Sequence, residues 1–323
     1  MRTIVSLIAL FISCSLFAQT VEDAVLFGTV KNHKSNSIQL EFRNNPIDTV
    51  NYILKINLND KGQFYETLPI KKPIAGSLII DRDTISIYVE VSESIEIIYS
   101  NINSVEFKSE YSNNKYVFTN QNKYYSQLSK LVKKIDKYDF KNYSYEIDSI
   151  TNHTIQELKV YASKNIISSN FLKRQIAKYV YNSANLKFDY LEYHKLLDFK
   201  YENTPENEVY LFYDKLSATQ SDLLLMNEYI EFLLKRHKYK YYQSDLSSLN
   251  EQEQMRLKFQ LVSDIYDGRE LYFVLTKVMS EILEDYSYLY AKSLISEYMS
   301  AVTIAEYRSY IDKKIQLAIR RLE

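Results

Sequence analysis

The chain changes its hydrophobic period once, near residue 119, and that switch limits it to a fold in two parts. Before the switch, apolar and polar residues alternate. Ile38, Leu40 and Phe42 interleave with Gln39, Glu41 and Arg43, and Ile85, Ile87, Val89 and Val91 interleave with Ser86, Tyr88 and Glu90. Ile95 and Ile97 flank Glu96. A period of two among β-branched residues predicts half-buried antiparallel strands. Turn residues crowd the same stretch. Gly28, Gly62, Gly76, Pro46, Pro69 and Pro73 leave only Gly268 and Pro205 for the remainder. The run Asn59-Asp60-Lys61-Gly62 predicts a hairpin-type turn with Gly62 in the left-handed region. We therefore expect an antiparallel β-sandwich over residues 24–118.

After the switch, apolar residues recur at helical spacing. Leu223, Met226, Ile230, Leu233 and Leu234 share one face; Leu271, Val274, Leu275, Val278 and Ile282 share a second; Ile304, Tyr307, Ile311, Ile315 and Ala318 share a third. Thr204-Pro205 predicts an N-cap followed by proline at the first helical position. Ser248-Leu249-Asn250-Glu251 has capping-box spacing. About eight to ten helices joined by short loops predict an all-α bundle or helical-hairpin array over residues 119–323, with 109–122 as the boundary stretch. No constant period marks a repeat, and the tetratricopeptide signature is missing. The fold class is α+β in two parts.

Residues 1–18 have the layout of an export signal. Met1-Arg2-Thr3 is a positively charged start, Ile4 to Phe17 is mostly apolar, and Leu16-Phe17-Ala18 places a small residue before Gln19. The apolar run is shorter than the ~20 residues a membrane span requires. We expect a periplasmic or envelope protein with no transmembrane segment after signal removal. Cys14 leaves an alternative open. Phe11-Ile12-Ser13-Cys14 loosely resembles a lipoprotein box, which would anchor the chain through lipid on Cys14. Cys14 is the only cysteine. Cleavage near Ala18 would thus leave no thiol for disulfides, nucleophilic catalysis or thiolate metal sites.

The 40 Lys and Arg face 41 Asp and Glu. Such a balance creates no global field that would draw in nucleic acid. The 31 tyrosines read as core and interface filler with a solvated hydroxyl end. Tryptophan is absent, which removes the usual sugar-stacking side chain.

Several stretches of the early region occur in a familiar order. They are Phe27-Gly28-Thr29-Val30, Ile56 through Phe64 with its Asn59-Asp60-Lys61-Gly62 turn, Ile87-Tyr88-Val89-Glu90-Val91, and Ser94-Ile95-Glu96-Ile97. The passage from Val105-Glu106-Phe107 to Asn113-Asn114-Lys115-Tyr116 follows. Over about residues 24–135 this order resembles the N-terminal β-sandwich and helical region of exported TlpA-like thiol-disulfide oxidoreductases of Bacteroidetes-type bacteria. The resemblance implies an envelope location and a sandwich followed by helices. In that family a thioredoxin-like domain follows. Here the sequence reaches Arg320-Arg321-Leu322-Glu323 at about that point, with no Cys-x-x-Cys. The resemblance thus implies architecture and compartment, and it transfers no catalytic residue.

Searches for reactive constellations return nothing specific. His33, His153, His194 and His237 form no i, i+4 pair and no His-Glu-x-x-His motif, and each reads as a surface or edge side chain. Four dispersed glycines build no phosphate loop. Glu281, Glu284 and Asp285, like Asp198 and Glu202, read as solvated helix faces. We expect no catalytic, cofactor-binding or metal-binding residues. The sharpest local feature is the run from Lys235 to Tyr242. Lys235, Arg236, Lys238, Tyr239, Tyr241 and Tyr242 interleave cations with aromatics, as contacts to a partner or a lipid surface do. The same residues also suit a helix C-terminus, where cations meet the negative end of the dipole.

Three functions follow from this reading. The first is a non-catalytic envelope protein that binds a protein, peptide or ligand, with an inter-domain cleft as the default site. The second is an accessory partner of a separate thioredoxin-like redox protein. The third is a carboxylate-dependent hydrolase, which requires two facing acidic side chains in a pocket, at least one with a raised pKa.

Overall fold

The computed structural model describes residues 23–32, 34–48, 51–196, 212–242, 244, 246, 248–285 and 288–321. The expected export signal with Cys14, His33, the Asp198/Glu202 pair and the expected helix start at Thr204-Pro205 lie outside the described residues. The chain is α+β, with strands first and helices after.

Eight strands open the described chain: β1 (Ala24–Val30), β2 (Ser37–Phe42), β3 (Tyr52–Asn57), β4 (Gln63–Leu68), β5 (Ile74–Ile80), β6 (Asp83–Val89), β7 (Ser94–Asn101) and β8 (Ser104–Lys108). They form two four-stranded sheets, ordered β4-β1-β7-β8 and β3-β2-β5-β6. Alternation places Ile38, Leu40 and Phe42 inward on β2, and Ile95, Ile97 and Tyr99 inward on β7. One buried apolar cluster draws on both sheets, joining Leu26 and Ile97 from the first to Leu40, Leu78 and Ile87 from the second.

Two features depart from the sequence expectation. β1 pairs with β7 in parallel, Val25–Val30 against Ser94–Tyr99, so the strands are not all antiparallel. Parallel neighbours need a long crossover, and the chain between them supplies it by laying down the whole second sheet and β4. The Asn59–Gly62 turn is the other departure. Gly62 is left-handed, with φ +71. The turn nevertheless joins β3 and β4, which belong to different sheets, so it changes sheets instead of closing a hairpin. It holds its own shape. The Asn59 side chain accepts from the backbone N–H groups of Lys61 and Gln63, each at 2.9 Å, and Gly62 N–H donates to the Asn59 carbonyl at 2.8 Å.

Among the described residues eight α-helices follow: α1 (Asn113–Val132), α2 (Phe140–Lys164), α3 (Ser169–Leu196), α4 (Asn227–Tyr242), α5 (Glu251–Ile265), α6 (Gly268–Asp285), α7 (Tyr288–Ala301) and α8 (Ala305–Arg320). α3 packs against α2 and α4, while α6 packs against α5, α7 and α8. α6 is the most deeply set, burying Phe273, Val274, Leu275, Val278, Met279 and Ile282. At the start of α1, Asn114 acts as a one-residue strand. Its carboxamide accepts from Tyr88 N–H and donates to Tyr88 C=O, both at 2.7 Å, along the edge of β6.

Two helix starts move. Leu223 sits in a 3-10 turn, Ser221–Leu223, and α4 begins only at Asn227. The capping box of α5 belongs to Asn250 and Glu253, two residues beyond the Ser248 expectation. Asn250 accepts from Glu253 N–H at 3.0 Å, and the Glu253 carboxylate accepts from Asn250 N–H at 2.8 Å. Asn and Ser cap about equally well, so Ser248 and Asn250 compete on composition alone.

By contacts the chain forms two compact units that divide between Phe118 and Thr119, with two exchanges. Residues Arg43–Tyr52, between β2 and β3, cluster with the helices; residues Asn165–Ser168, between α2 and α3, cluster with the strands. Ile47 is buried in the helical core, and Lys277 on α6 donates to its carbonyl at 2.8 Å.

Candidate functional site

The basic-aromatic run forms the C-terminal half of α4, and helical spacing sorts its residues onto two sides. Arg236 and Tyr239 face inward. Arg236 donates to the Leu216 carbonyl at 3.0 Å and lies 3.8 Å from Asp214, and Tyr239 is buried against Tyr213 with ring centres 6.0 Å apart. Lys235, Lys238, Tyr241 and Tyr242 recur three or four residues apart, which places them on one face. That face lines an open cavity of about 640 Å³ in the helical unit. Ligand sites of small molecules run to about 300–1,000 Å³.

The cavity wall is mixed. Ile230 and Leu234 from α4 and Val278 from α6 supply apolar surface, and the Tyr241 and Tyr242 rings, 6.1 Å apart, supply aromatic surface. Its lysines are bridged. Lys235 meets Glu231 at 2.6 Å and also Asp189 of α3; Lys238 meets Glu192 of α3 and lies 5.7 Å from the Tyr242 ring centre; Lys258 of α5 meets Glu281 of α6 at 2.7 Å. Arg43, the first residue after β2, completes the wall. Burial lowers its pKa, and Asp48 partly opposes that effect.

His237 turns its ring into the wall. Nε2 lies 2.8 Å from the Lys258 carbonyl, and burial lowers its pKa. His194 is also buried, with its ring centre 4.2 Å from that of Tyr190. The surface assignment for these two histidines is thereby corrected: both lie on the packed faces of long helices, where an imidazole fills volume as an aromatic ring does. His153 stays exposed and meets Glu157 one turn on, at 3.2 Å.

Sequence inspection brought out four of the cavity residues in one run. It missed Arg43, Glu192, Lys258 and Glu281, which reach the cavity from four other segments. Arg43 registered only as a polar position in a strand alternation, and β2 ends one residue earlier.

A shallower concavity of about 630 Å³ lies on the first sheet, over Phe27, Tyr65 and Glu96. Its one charged lining group, Glu96, meets Lys108 at 3.3 Å. Within the strand unit, Glu90 and Glu93 are both buried. Glu93 Oε2 accepts from Glu90 N–H at 2.9 Å, while its Oε1 has no hydrogen-bond partner among the described residues. Glu90 accepts from Tyr88 Oη at 3.2 Å and from the Ser168 hydroxyl. Burial, reinforced by the neighbouring charges of Glu90 and Glu110, pushes the Glu93 carboxyl up to about 7. Neither carboxylate lines either cavity.

Among the described residues, no three His, Cys, Asp or Glu side chains gather as metal ligands would, and no helix is long and apolar enough to cross a membrane. No protein-family model matches the chain, no curated protein matches its sequence, and no solved structure matches it.

Proposed function

We propose that this chain is a non-catalytic, exported envelope protein with a ligand-binding helical unit and a β-sandwich made by its two sheets. The observation that carries the proposal is the cavity itself. Five separate segments deliver apolar, aromatic and charged side chains to one open space of small-molecule size. Hydrolysis has weaker support. The cavity carboxylates Glu192, Glu231 and Glu281 each hold a lysine, the neighbouring Asp189 shares Lys235 with Glu231, and the buried Glu90 and Glu93 open onto neither cavity. The envelope location and the sandwich rest on the leader-like N-terminus and on the resemblance over about residues 24–135. The buried apolar cluster that draws on both sheets supports the sandwich.

A thermal-shift screen of the full chain against soluble neutral, anionic and cationic small molecules tests the proposal. Stabilising compounds are expected, and Leu234→Trp, which fills the cavity, should abolish their effect. Stabilisation that survives Leu234→Trp, or a screen without a single hit, would sink the reading.

A further inference from the structure

Among the described residues, one cation of the cavity wall lacks a carboxylate partner. Three of its four permanent cations, Lys235, Lys238 and Lys258, have carboxylate partners. The fourth, Arg43, has no ion pair among the described residues, and its Nε is shut from solvent without a hydrogen-bond partner. Asp48 acts on Arg43 only at a distance. Lys277 is a further nearby positive charge, and it is committed elsewhere: its ammonium donates to the Ile47 carbonyl and lies over the Phe273 and Tyr310 rings. Arg43 is half-buried, and a guanidinium Nε held from solvent without an acceptor is costly. A ligand oxygen carrying negative charge would remove that cost through a charge-assisted, bidentate contact. Ile230, Leu234, Val278 and the two tyrosine rings would cover an apolar body beside it.

We infer that the cavity binds a monoanionic carboxylate with an apolar body, of the class of a medium-chain fatty acid or an aryl carboxylic acid, with its head held by Arg43. This rests on reading the cavity as a binding site. One unmatched cation suits one negative charge. A dianionic head would place its second charge among Glu192, Glu231 and Glu281 with no cation to meet it.

Calorimetric titration of the full chain with octanoate and, separately, with 1-octanol reads this directly. Octanoate is expected to bind at least about tenfold tighter. Arg43→Gln should bring octanoate down to the level of 1-octanol while leaving 1-octanol binding unchanged, and Arg43→Lys should restore part of the preference. Equal affinity for the two probes, no octanoate binding, or a preference that survives Arg43→Gln overturns the inference. A neutral or cationic compound whose binding is lost in Leu234→Trp, with octanoate inert, overturns the ligand class while the cavity remains a binding site.

Discussion

Glu93 concentrates more electrostatic tension than any other side chain of the strand unit. Its carboxyl is buried beside Glu90, with one oxygen unsatisfied, and its pKa lies near 7 instead of 4.5. The sign of the effect on stability follows. Between those two pH values the native chain keeps a proton that the unfolded chain releases, so stability falls as pH rises through the interval and levels off above about 7. A shift of this size corresponds to on the order of 3 kcal/mol. Glu93→Gln removes the titration while its carboxamide oxygen can still accept from Glu90 N–H. Urea denaturation at pH 5 and pH 8 should show the native chain losing stability between the two, the variant losing less, and the variant the more stable at pH 8. Parallel pH profiles for the two proteins would refute this account. The sequence marks Glu90 only as the polar member of an alternation. It is buried and accepts from the Ser168 hydroxyl, 78 residues away, and no local pattern reports such a meeting.

The β1–β7 pairing depends on Gly28. A Cβ at this position would lie 1.9 Å from the Ile97 carbonyl oxygen, so the two strands approach more closely than any side chain allows. Gly28→Ala should therefore cost at least about 2 kcal/mol, because backbone and not a flexible side chain must give way. A loss under about 0.5 kcal/mol on chemical denaturation would show that the strands can separate cheaply. The strands themselves were readable wherever β-branched residues alternate, as on β2, β6 and β7. Their partners were not, because alternation fixes which face a residue takes and says nothing of which strand lies beside it. The helices follow the same rule. The stripes on α4, α6 and α8 were visible, whereas the start of α4 was misplaced because Leu223 and Met226 keep helical spacing through a 3-10 turn. Within the candidate site, the α4 side of the cavity could be read from Lys235 to Tyr242. The Arg43 side could not, since it arrives from a connection nearly two hundred residues earlier.

Across the whole chain, tyrosine takes a role that its composition alone concealed. Among the described residues, nine tyrosines stand among the largest fully buried side chains. Their hydroxyls are not solvated as expected; many are satisfied internally by backbone. Tyr213 donates to the Ala184 carbonyl at 3.3 Å, Tyr190 to that of Tyr138 at 2.5 Å and Tyr124 to that of Tyr179 at 3.5 Å. Burial pushes Tyr143, Tyr181, Tyr298 and Tyr307 each up to about 12. The stability they hold is fully present below pH 10, the unfolded value, and is lost as pH rises through 12. Alkaline titration should therefore show these phenols ionising in step with the loss of helical circular dichroism. With no tryptophan in the chain, the absorbance change reports tyrosine ionisation, and these phenols form its late, high-pH phase. Smooth ionisation near pH 10 with the helices intact would contradict this. The exchange of Arg43–Tyr52 and Asn165–Ser168 between the two units has a practical corollary. Severing the gene between codons 118 and 119 yields two incomplete halves: the downstream fragment lacks the Ile47 plug of its interior, and the upstream fragment lacks the serine hydroxyl that quiets Glu90. Each half therefore matures only after distant parts of the ribosomal product have met, which ties the folding of the first hundred residues to the synthesis of the next seventy.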